Sequence, residues 1–168
     1  FPYVRPMSFR PARASLVYRD FPDVFHPDFE NDAADYASEL TDTKDDPAFL
    51  GYFLMNEPTW GFSSEVPAAG MLYVTETCDA RKELSAALKK KYPDDAALAN
   101  AWGMDVTFDK IVTGKWTAVL TPAAQRDLEA FSTVMVERYF RIISSACKTV
   151  DPNHLNLGMR WAGLPPAW

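Results

Sequence analysis

The chain has 168 residues, of which 48% are hydrophobic and 14% aromatic, so it can fill the core of one domain and is not a disordered segment. The net charge is −6, and the one cluster of positive charge, residues 89–91, predicts a solvated helix face, which argues against a nucleic-acid partner because phosphate contacts need a basic surface. No apolar run approaches the roughly 20 residues that cross a bilayer, so we expect no membrane partner.

The first 27 residues are rich in proline and aromatic side chains and predict a long loop, with one candidate short strand at residues 14–18. Asp28 and Glu30 then place acidic side chains in the first turn of a helix, where the helix dipole favours them. Apolar positions with helical spacing continue to Leu40, and Pro47 marks the end of this segment.

Residues 48–55 form a short, continuously apolar run, which is typical of a parallel strand covered on both faces. A buried helix is the alternative, but the run is short and Pro58 closes it. A loop over residues 58–70 follows, and it contains Trp60 and Phe62.

Two helices are predicted after this loop, over residues 80–92 with Asp79 as the cap and over residues 94–102 with Gly103 at the end. Thr121 and a following proline start a long amphipathic helix that reaches about residue 149. Residues 154–161 predict a closing strand. This order of helices and strands favours an α/β fold with a parallel sheet.

Side-chain alternation predicts which way each strand residue points. Glu57 shares a face with Met55, whereas Asn56 has the opposite parity and needs a bulge or bend to join Glu57. In the closing strand, Asn156 and Arg160 share the face that points away from the helices. The other face, predicted to pack under helices, carries Leu155, Leu157, Met159 and Trp161. Glu57 and Arg160 therefore come near the C-terminal ends of neighbouring strands, where α/β folds place their sites.

The residues that most often bind metals or act as nucleophiles give no clear pattern. Cys78 and Cys147 lie far apart and are either two free thiols or one disulfide. His26 and His154 are each expected to satisfy a local hydrogen bond. We expect no metal and no other cofactor, because the sequence has neither a His/Asp/Glu cluster nor a glycine-rich phosphate loop.

Residues 50–58, LGYFLMNEP, resemble the end of the fourth barrel strand in clan A glycoside hydrolases, where an Asn-Glu pair is often followed by proline. Residues 23–53 and 89–109 are similar to segments of family 42 β-galactosidases and related agarases. Residues 150–163 resemble an agarase-type strand that begins Asp-Pro-Asn-His-Leu. The resemblance implies part of a (β/α)8 TIM barrel, about strands 3 to 5, with a helical insert after strand 4. Residues 1–168 are then a fragment of a single catalytic barrel.

The same resemblance implies roles for particular side chains. Glu57 becomes the general acid/base of a retaining glycosidase, and Asn56 binds the 2-hydroxyl of the sugar. Trp60 and Phe62 could offer flat apolar faces to pyranose rings, although Trp60 could equally anchor the loop. Arg160 is either a substrate ligand or a structural ion-pair partner.

The nucleophile of that clan comes from the seventh strand, which lies outside this chain. Glu65 and Glu76 fall in the insert and are not expected to replace it. We therefore expect the segment alone to be inactive and to need the remainder of the barrel, in the same or another chain. The expected substrate is a β-galactoside or an agar-type galactan, and a polysaccharide substrate would imply an extracellular or periplasmic protein. The alternative is a non-catalytic carbohydrate-binding module or an inactive barrel fragment.

Overall fold

The computed structural model of the chain describes residues 1–163, which form a mixed α/β fold with a small parallel sheet. In chain order the strands are β1 (Tyr3–Pro6), β2 (Leu16–Tyr18), β3 (Phe21–Pro22), β4 (Phe49–Phe53), β5 (Met55–Asn56), β6 (Leu155–Asn156) and β7 (Met159–Arg160). The α-helices are α1 (Phe29–Ser38), α2 (Pro67–Val74), α3 (Asp79–Lys91), α4 (Asp95–Trp102), α5 (Phe108–Val112) and α6 (Pro122–Val150), and short 3₁₀ helices cover Glu39–Asp42 and Thr59–Phe62.

The sheet has the order β1-β4-β6, and both pairings are parallel, as the helix–strand order predicted. Strands β5 and β7 continue β4 and β6 toward their C-terminal ends and also pair in parallel. The predicted strand over residues 48–55 is therefore confirmed, with a break at Leu54, whose N–H donates to the carbonyl of Gly158 at 2.7 Å. Strand β1 falls where the sequence predicted only a loop. Closure of this sheet into a barrel stays a prediction.

Helix α6 confirms the predicted long amphipathic helix. Thr121 caps its start, as predicted, by accepting a hydrogen bond from the N–H of Ala124. Asp94 caps α4 in the same way and Gly103, with φ of 63°, ends it. The predicted cap of α3 is wrong: Asp79 is its first helical residue, and the distant carboxylate of Asp23 accepts from the N–H groups of Asp79 at 2.8 Å and of Ala80 at 3.1 Å.

Helices α2 and α5 were not predicted. Helix α2 is almost entirely buried, so its apolar side chains surround the axis and leave no 3.6-residue period to detect. Helix α5 has only five residues, which is too short for a periodic pattern. Both helices belong to the segment between β5 and α6, so the insert is more helical than the sequence indicated.

The predicted faces of the closing strand are partly wrong. Asn156 points toward α6, where its Nδ2 donates to Ser144 Oγ at 3.1 Å, and Leu155 is 62% exposed on the opposite face. Met159 is buried, as predicted. The reason is the break between β6 and β7, where Gly158 has a φ of 72° and interrupts the strict alternation on which the prediction relied.

The core lies between the sheet and the helices α1 and α6. Tyr139 of α6 is at its centre, with ring centroids 5.9 Å from Phe9, 5.5 Å from Phe21 and 6.3 Å from Phe29. The other face of the sheet is open: Val4 and Leu155, which both align with Gly51, are 41% and 62% exposed. Among residues 1–163, no helix has the length and apolar character that a membrane crossing requires.

A buried carboxylate ties the N-terminal segment to α1. Asp32, only 3% exposed, accepts hydrogen bonds from the N–H of Ala14 at 2.8 Å, the N–H of Arg13 at 3.1 Å and the Arg13 guanidinium at 2.9 Å. Burial raises the pKa of Asp32, but these hydrogen bonds outweigh burial and hold its pKa below the ordinary value. The ionised form of Asp32 therefore favours the folded state.

We expect Asp32→Ala to lower the free energy of unfolding by about 1–3 kcal/mol at neutral pH, because buried N–H donors lose their acceptor. Since the folded-state pKa is depressed, the contribution of Asp32 is complete above about pH 4 and is lost as the pH falls below that value. Urea unfolding at several pH values measures this, and the deficit of the variant should shrink on acidification. Asp35→Ala is the control, because Asp35 also pairs with Arg13 but is 66% exposed. An equal deficit in both variants would contradict the argument.

Candidate active site

Three polar side chains meet where β5 and β7 end. Asn56 lies opposite Arg160 in the parallel register, and the N–H of Glu57 donates to the carbonyl of Arg160 at 2.8 Å. The structure thus places Glu57 and Arg160 at the C-terminal ends of neighbouring parallel strands, as the sequence predicted. Parallel sheets form their sites at this edge.

The backbone of Glu57 explains how Asn56 and Glu57 act on the same side. Strict alternation would send the two side chains to opposite faces. Glu57 instead has a φ of 51°, a left-handed conformation that costs a residue with a Cβ roughly 1–2 kcal/mol. This is the bend that the sequence required, and backbone strain of this kind is often found at functional sites.

One guanidinium nitrogen joins the two side chains. Arg160 Nη1 donates to Asn56 Oδ1 at 2.8 Å and to Glu57 Oε1 at 2.8 Å. The Arg160 and Glu57 side chains are 52% and 42% exposed, so all three groups are accessible to a ligand. Exposed ion pairs add little to stability. Of the two roles considered for Arg160, the ion pair is the one seen here, and direct contact with substrate stays a prediction.

Asp20 fixes the loop that follows Glu57. Its carboxylate accepts from the N–H of Thr59 at 2.9 Å, the N–H of Trp60 at 3.0 Å and the hydroxyl of Thr59 at 2.7 Å. Asp20 lies in the turn between β2 and β3, next to Arg19, whose φ is 52°. The sequence analysis missed Asp20, since its partners lie about forty residues away and no local pattern indicates them.

The prediction that Trp60 offers an open face to a sugar is wrong for this structure. Trp60 is 2% exposed and makes edge-to-face contacts with Phe21 at 5.1 Å and Trp161 at 5.8 Å. Its packing corresponds to the loop-anchor alternative. Phe62 is 44% exposed, so it retains an accessible face of the kind predicted for sugar contact.

Trp161 packs against the edge of the core, as the sequence predicted in part, and it also reaches this surface. It is only partly buried, and it contacts Phe62 edge to face at 5.8 Å. Its ring lies against Gly61, where an added Cβ would be 2.2 Å from the indole. Phe62 and Trp161, which directly follows Arg160 in the chain, therefore form a partly exposed aromatic pair, which we call the aromatic rim.

The remaining candidates have structural roles. His26 Nδ1 accepts from the N–H of Asp28 at 3.1 Å, and His154 Nδ1 lies 2.9 Å from Asp151, so both histidines make the expected local hydrogen bonds. Both cysteines are free thiols, and burial raises the pKa of Cys78 to about 11 and of Cys147 to about 12. Within residues 1–163, no group of His, Cys, Asp and Glu side chains could hold a metal ion.

Comparison with known proteins relates the chain to agarases. No family model matches it. It is 28% identical over 158 residues to β-agarase B of Vibrio sp. (strain JT0107), which covers 86% of this chain and 16% of that protein. Among solved structures, an exo-β-agarase has a TM-score of 0.79 at 25% identity over 95% of this chain, and the agarase AgWH50C has 0.78 at 25% over 98%.

Sequence and structure together show homology to β-agarases. The chain spans only a small part of these relatives, 24% of the exo-β-agarase and 26% of AgWH50C. The specific likeness to family 42 β-galactosidases and the closed barrel of clan A stay predictions.

Asp20→Ala should loosen the segment that carries the candidate site. We expect the amide hydrogens of Thr59 and Trp60 to exchange about tenfold faster or more, since the lost acceptor is worth about 1–3 kcal/mol and each 1.4 kcal/mol is about a factor of ten. Hydrogen exchange followed by NMR measures this. Asp94→Ala is the matched control, because it removes a cap from α4 and should leave Thr59 and Trp60 unchanged. Equal exchange in both variants would show that Asp20 does not fix the loop.

Proposed function

We propose that the protein to which this chain belongs is a retaining glycoside hydrolase that acts on an agar-type galactan. One observation carries the proposal. In a chain homologous to β-agarases, the left-handed backbone of Glu57 at the end of a parallel strand brings its carboxylate to the guanidinium that also donates to the Asn56 amide.

Glu57 acts in this proposal as the general acid/base. It protonates the glycosidic oxygen as the bond to the anomeric carbon breaks, and it then removes a proton from the water that hydrolyses the glycosyl-enzyme intermediate. A second carboxylate must attack the anomeric carbon. Glu65 and Glu76 lie in the segments that flank α2, away from the ends of β5 and β7 in the chain, so we assign the nucleophile to a part of the protein beyond residues 1–163.

The groups around Glu57 suit a saccharide. Asn56 carries an amide that can bond the 2-hydroxyl, and the aromatic rim offers a partly exposed apolar surface from residues that closely follow Glu57 and Arg160 in the chain. Such a surface fits the C–H face of a pyranose ring. Agar-type galactan is the proposed substrate because the relatives are named β-agarases, and a small β-galactoside is the narrower alternative. A polysaccharide substrate implies an extracellular or periplasmic protein.

The second candidate is a carbohydrate-binding module without chemistry. One observation favours it: Glu57 Oε1 is engaged by Arg160, an arrangement that can bind sugar hydroxyls without transferring a proton. Calorimetry with galacto-oligosaccharides, together with a sensitive hydrolysis assay on the complete protein, separates the two candidates. Binding without hydrolysis would favour the module.

Glu57→Gln in the complete protein should lower turnover of galactan by about 10²–10⁴-fold, because the glutamine amide cannot donate a proton to a poor leaving group. Aryl glycosides with activated leaving groups need little protonation and should keep part of their turnover. Steady-state kinetics on both substrates measures the difference. The controls Glu65→Gln and Glu76→Gln should leave both rates unchanged. If Glu57→Gln turned over galactan at the wild-type rate, the assignment of Glu57 would be wrong.

A further inference from the structure

The orientation of the Asn56 amide is fixed by its partner. A guanidinium has only donors, so the amide atom 2.8 Å from Arg160 Nη1 must be the carbonyl oxygen, Oδ1. The oxygen and nitrogen of an amide are otherwise assigned from their hydrogen-bond partners. With Oδ1 turned toward Arg160, the two hydrogens of Nδ2 point away from the guanidinium. Asn56 therefore presents a donor, not an acceptor, to its surroundings.

The guanidinium itself is held in place by the sheet. Asn56 and Arg160 are paired residues of β5 and β7, and the N–H of Glu57 donates to the carbonyl of Arg160 at 2.8 Å. The backbone thus fixes the distance over which the side chain of Arg160 must reach. The planar fork of arginine suits such a fixed geometry better than the flexible stem of lysine.

Both hydrogens of Nη1 are used within the site. One goes to Asn56 Oδ1 and the other to Glu57 Oε1. The same two contacts leave Glu57 Oε2 as the oxygen that can carry a transferable proton, because Oε1 accepts from Arg160. Arg160 therefore orients both neighbours and does not offer Nη1 to a ligand.

We propose that Arg160 is a positioning residue: by donating to Asn56 Oδ1 it turns Asn56 Nδ2 toward the sugar 2-hydroxyl, so that the preference for a substrate with a free 2-hydroxyl depends on Arg160. This inference rests on the proposed function, because it takes the sugar to lie beside Glu57. A site built to bond a substrate hydroxyl discriminates strongly against an analogue that lacks it. Arg160 controls that discrimination through Asn56 without touching the sugar through Nη1.

The test uses the complete protein with an activated aryl β-galactoside and its 2-deoxy counterpart. Arg160→Met should lower kcat/KM for the 2-hydroxy substrate about 10²-fold, since the 2-hydroxyl bond strengthens in the transition state. For the 2-deoxy substrate the loss should be less than about threefold, because the bond is absent in either enzyme and the activated leaving group needs little protonation by Glu57. Arg160→Lys should recover part of the loss, because an ammonium can donate to both acceptors.

A double-mutant cycle adds an independent measurement. On the activated 2-hydroxy substrate, which needs little protonation by Glu57, Asn56→Ala and the double variant Asn56→Ala/Arg160→Met should have nearly the same kcat/KM, because Arg160 then acts through the amide. Arg5→Met is the matched control: Arg5 also pairs with a glutamate, Glu39 at 3.2 Å, and its side chain is 30% exposed. We expect its effect on kcat/KM to be within about twofold on both substrates.

Two results would overturn the role of Arg160: equal losses on the 2-hydroxy and 2-deoxy substrates, or losses from Asn56→Ala and Arg160→Met that multiply. If Arg160→Met does not fold, as judged by thermal unfolding, Arg160→Lys is measured on the two substrates instead. Its smaller loss should be confined to the 2-hydroxy substrate, and an equal loss on both substrates would overturn the role of Arg160. The outcome for Glu57→Gln is separate. A protein that loses galactan turnover in Glu57→Gln but fails the Arg160 test keeps its proposed function and loses only this inference.

Discussion

The site depends on the parallel pairing of β5 with β7, which aligns Asn56 with Arg160 and lets the N–H of Glu57 reach the carbonyl of Arg160. This pairing brings together residues that are about one hundred positions apart in the chain. The left-handed backbone of Glu57 then turns its side chain to the guanidinium. The strain of that backbone is of the order of 1–2 kcal/mol and must be offset by the structure around it.

The surrounding structure offsets this strain from both sides of Glu57. Before it, Met55 is buried and its sulfur lies 3.9 Å from the hydroxyl of Tyr139, at the centre of α6. After it, Trp60 is buried in the core, and the carboxylate of Asp20 accepts hydrogen bonds from the N–H groups of Thr59 and Trp60. The buried ring of Trp60 therefore anchors the loop after Glu57. An indole exposed to bind a sugar could not hold the loop in this way. The open aromatic surface falls instead to Phe62 and Trp161.

Local patterns in the sequence correctly predicted the features that depend on residues close together in the chain. The cap at Thr121, the end of α4 at Gly103, the period of α6 and the apolar run of β4 all follow from residues within a few positions of one another. The contacts that escaped prediction are long-range hydrogen bonds, in which the carboxylates of Asp20 and Asp23 accept from the N–H groups of Thr59 and Ala80. Strict alternation failed in the closing strand, because the positive φ of Gly158 interrupts it and no local pattern in the sequence indicates that break.

The open face of the sheet links the fold to the proposed chemistry. Val4 and Leu155 are aligned with Gly51, and a Cβ on Gly51 would lie 2.2 Å from the carbonyl oxygen of Leu155, so glycine permits this close approach. The result is an exposed apolar surface on the sheet whose strands β4 and β6 continue into β5 and β7, at the end of which Asn56 and Glu57 lie. Apolar surfaces of this kind usually meet a partner. In the predicted barrel, further strands would cover this face and would also supply the second carboxylate. The same additional strands would then complete both the fold and the catalytic site.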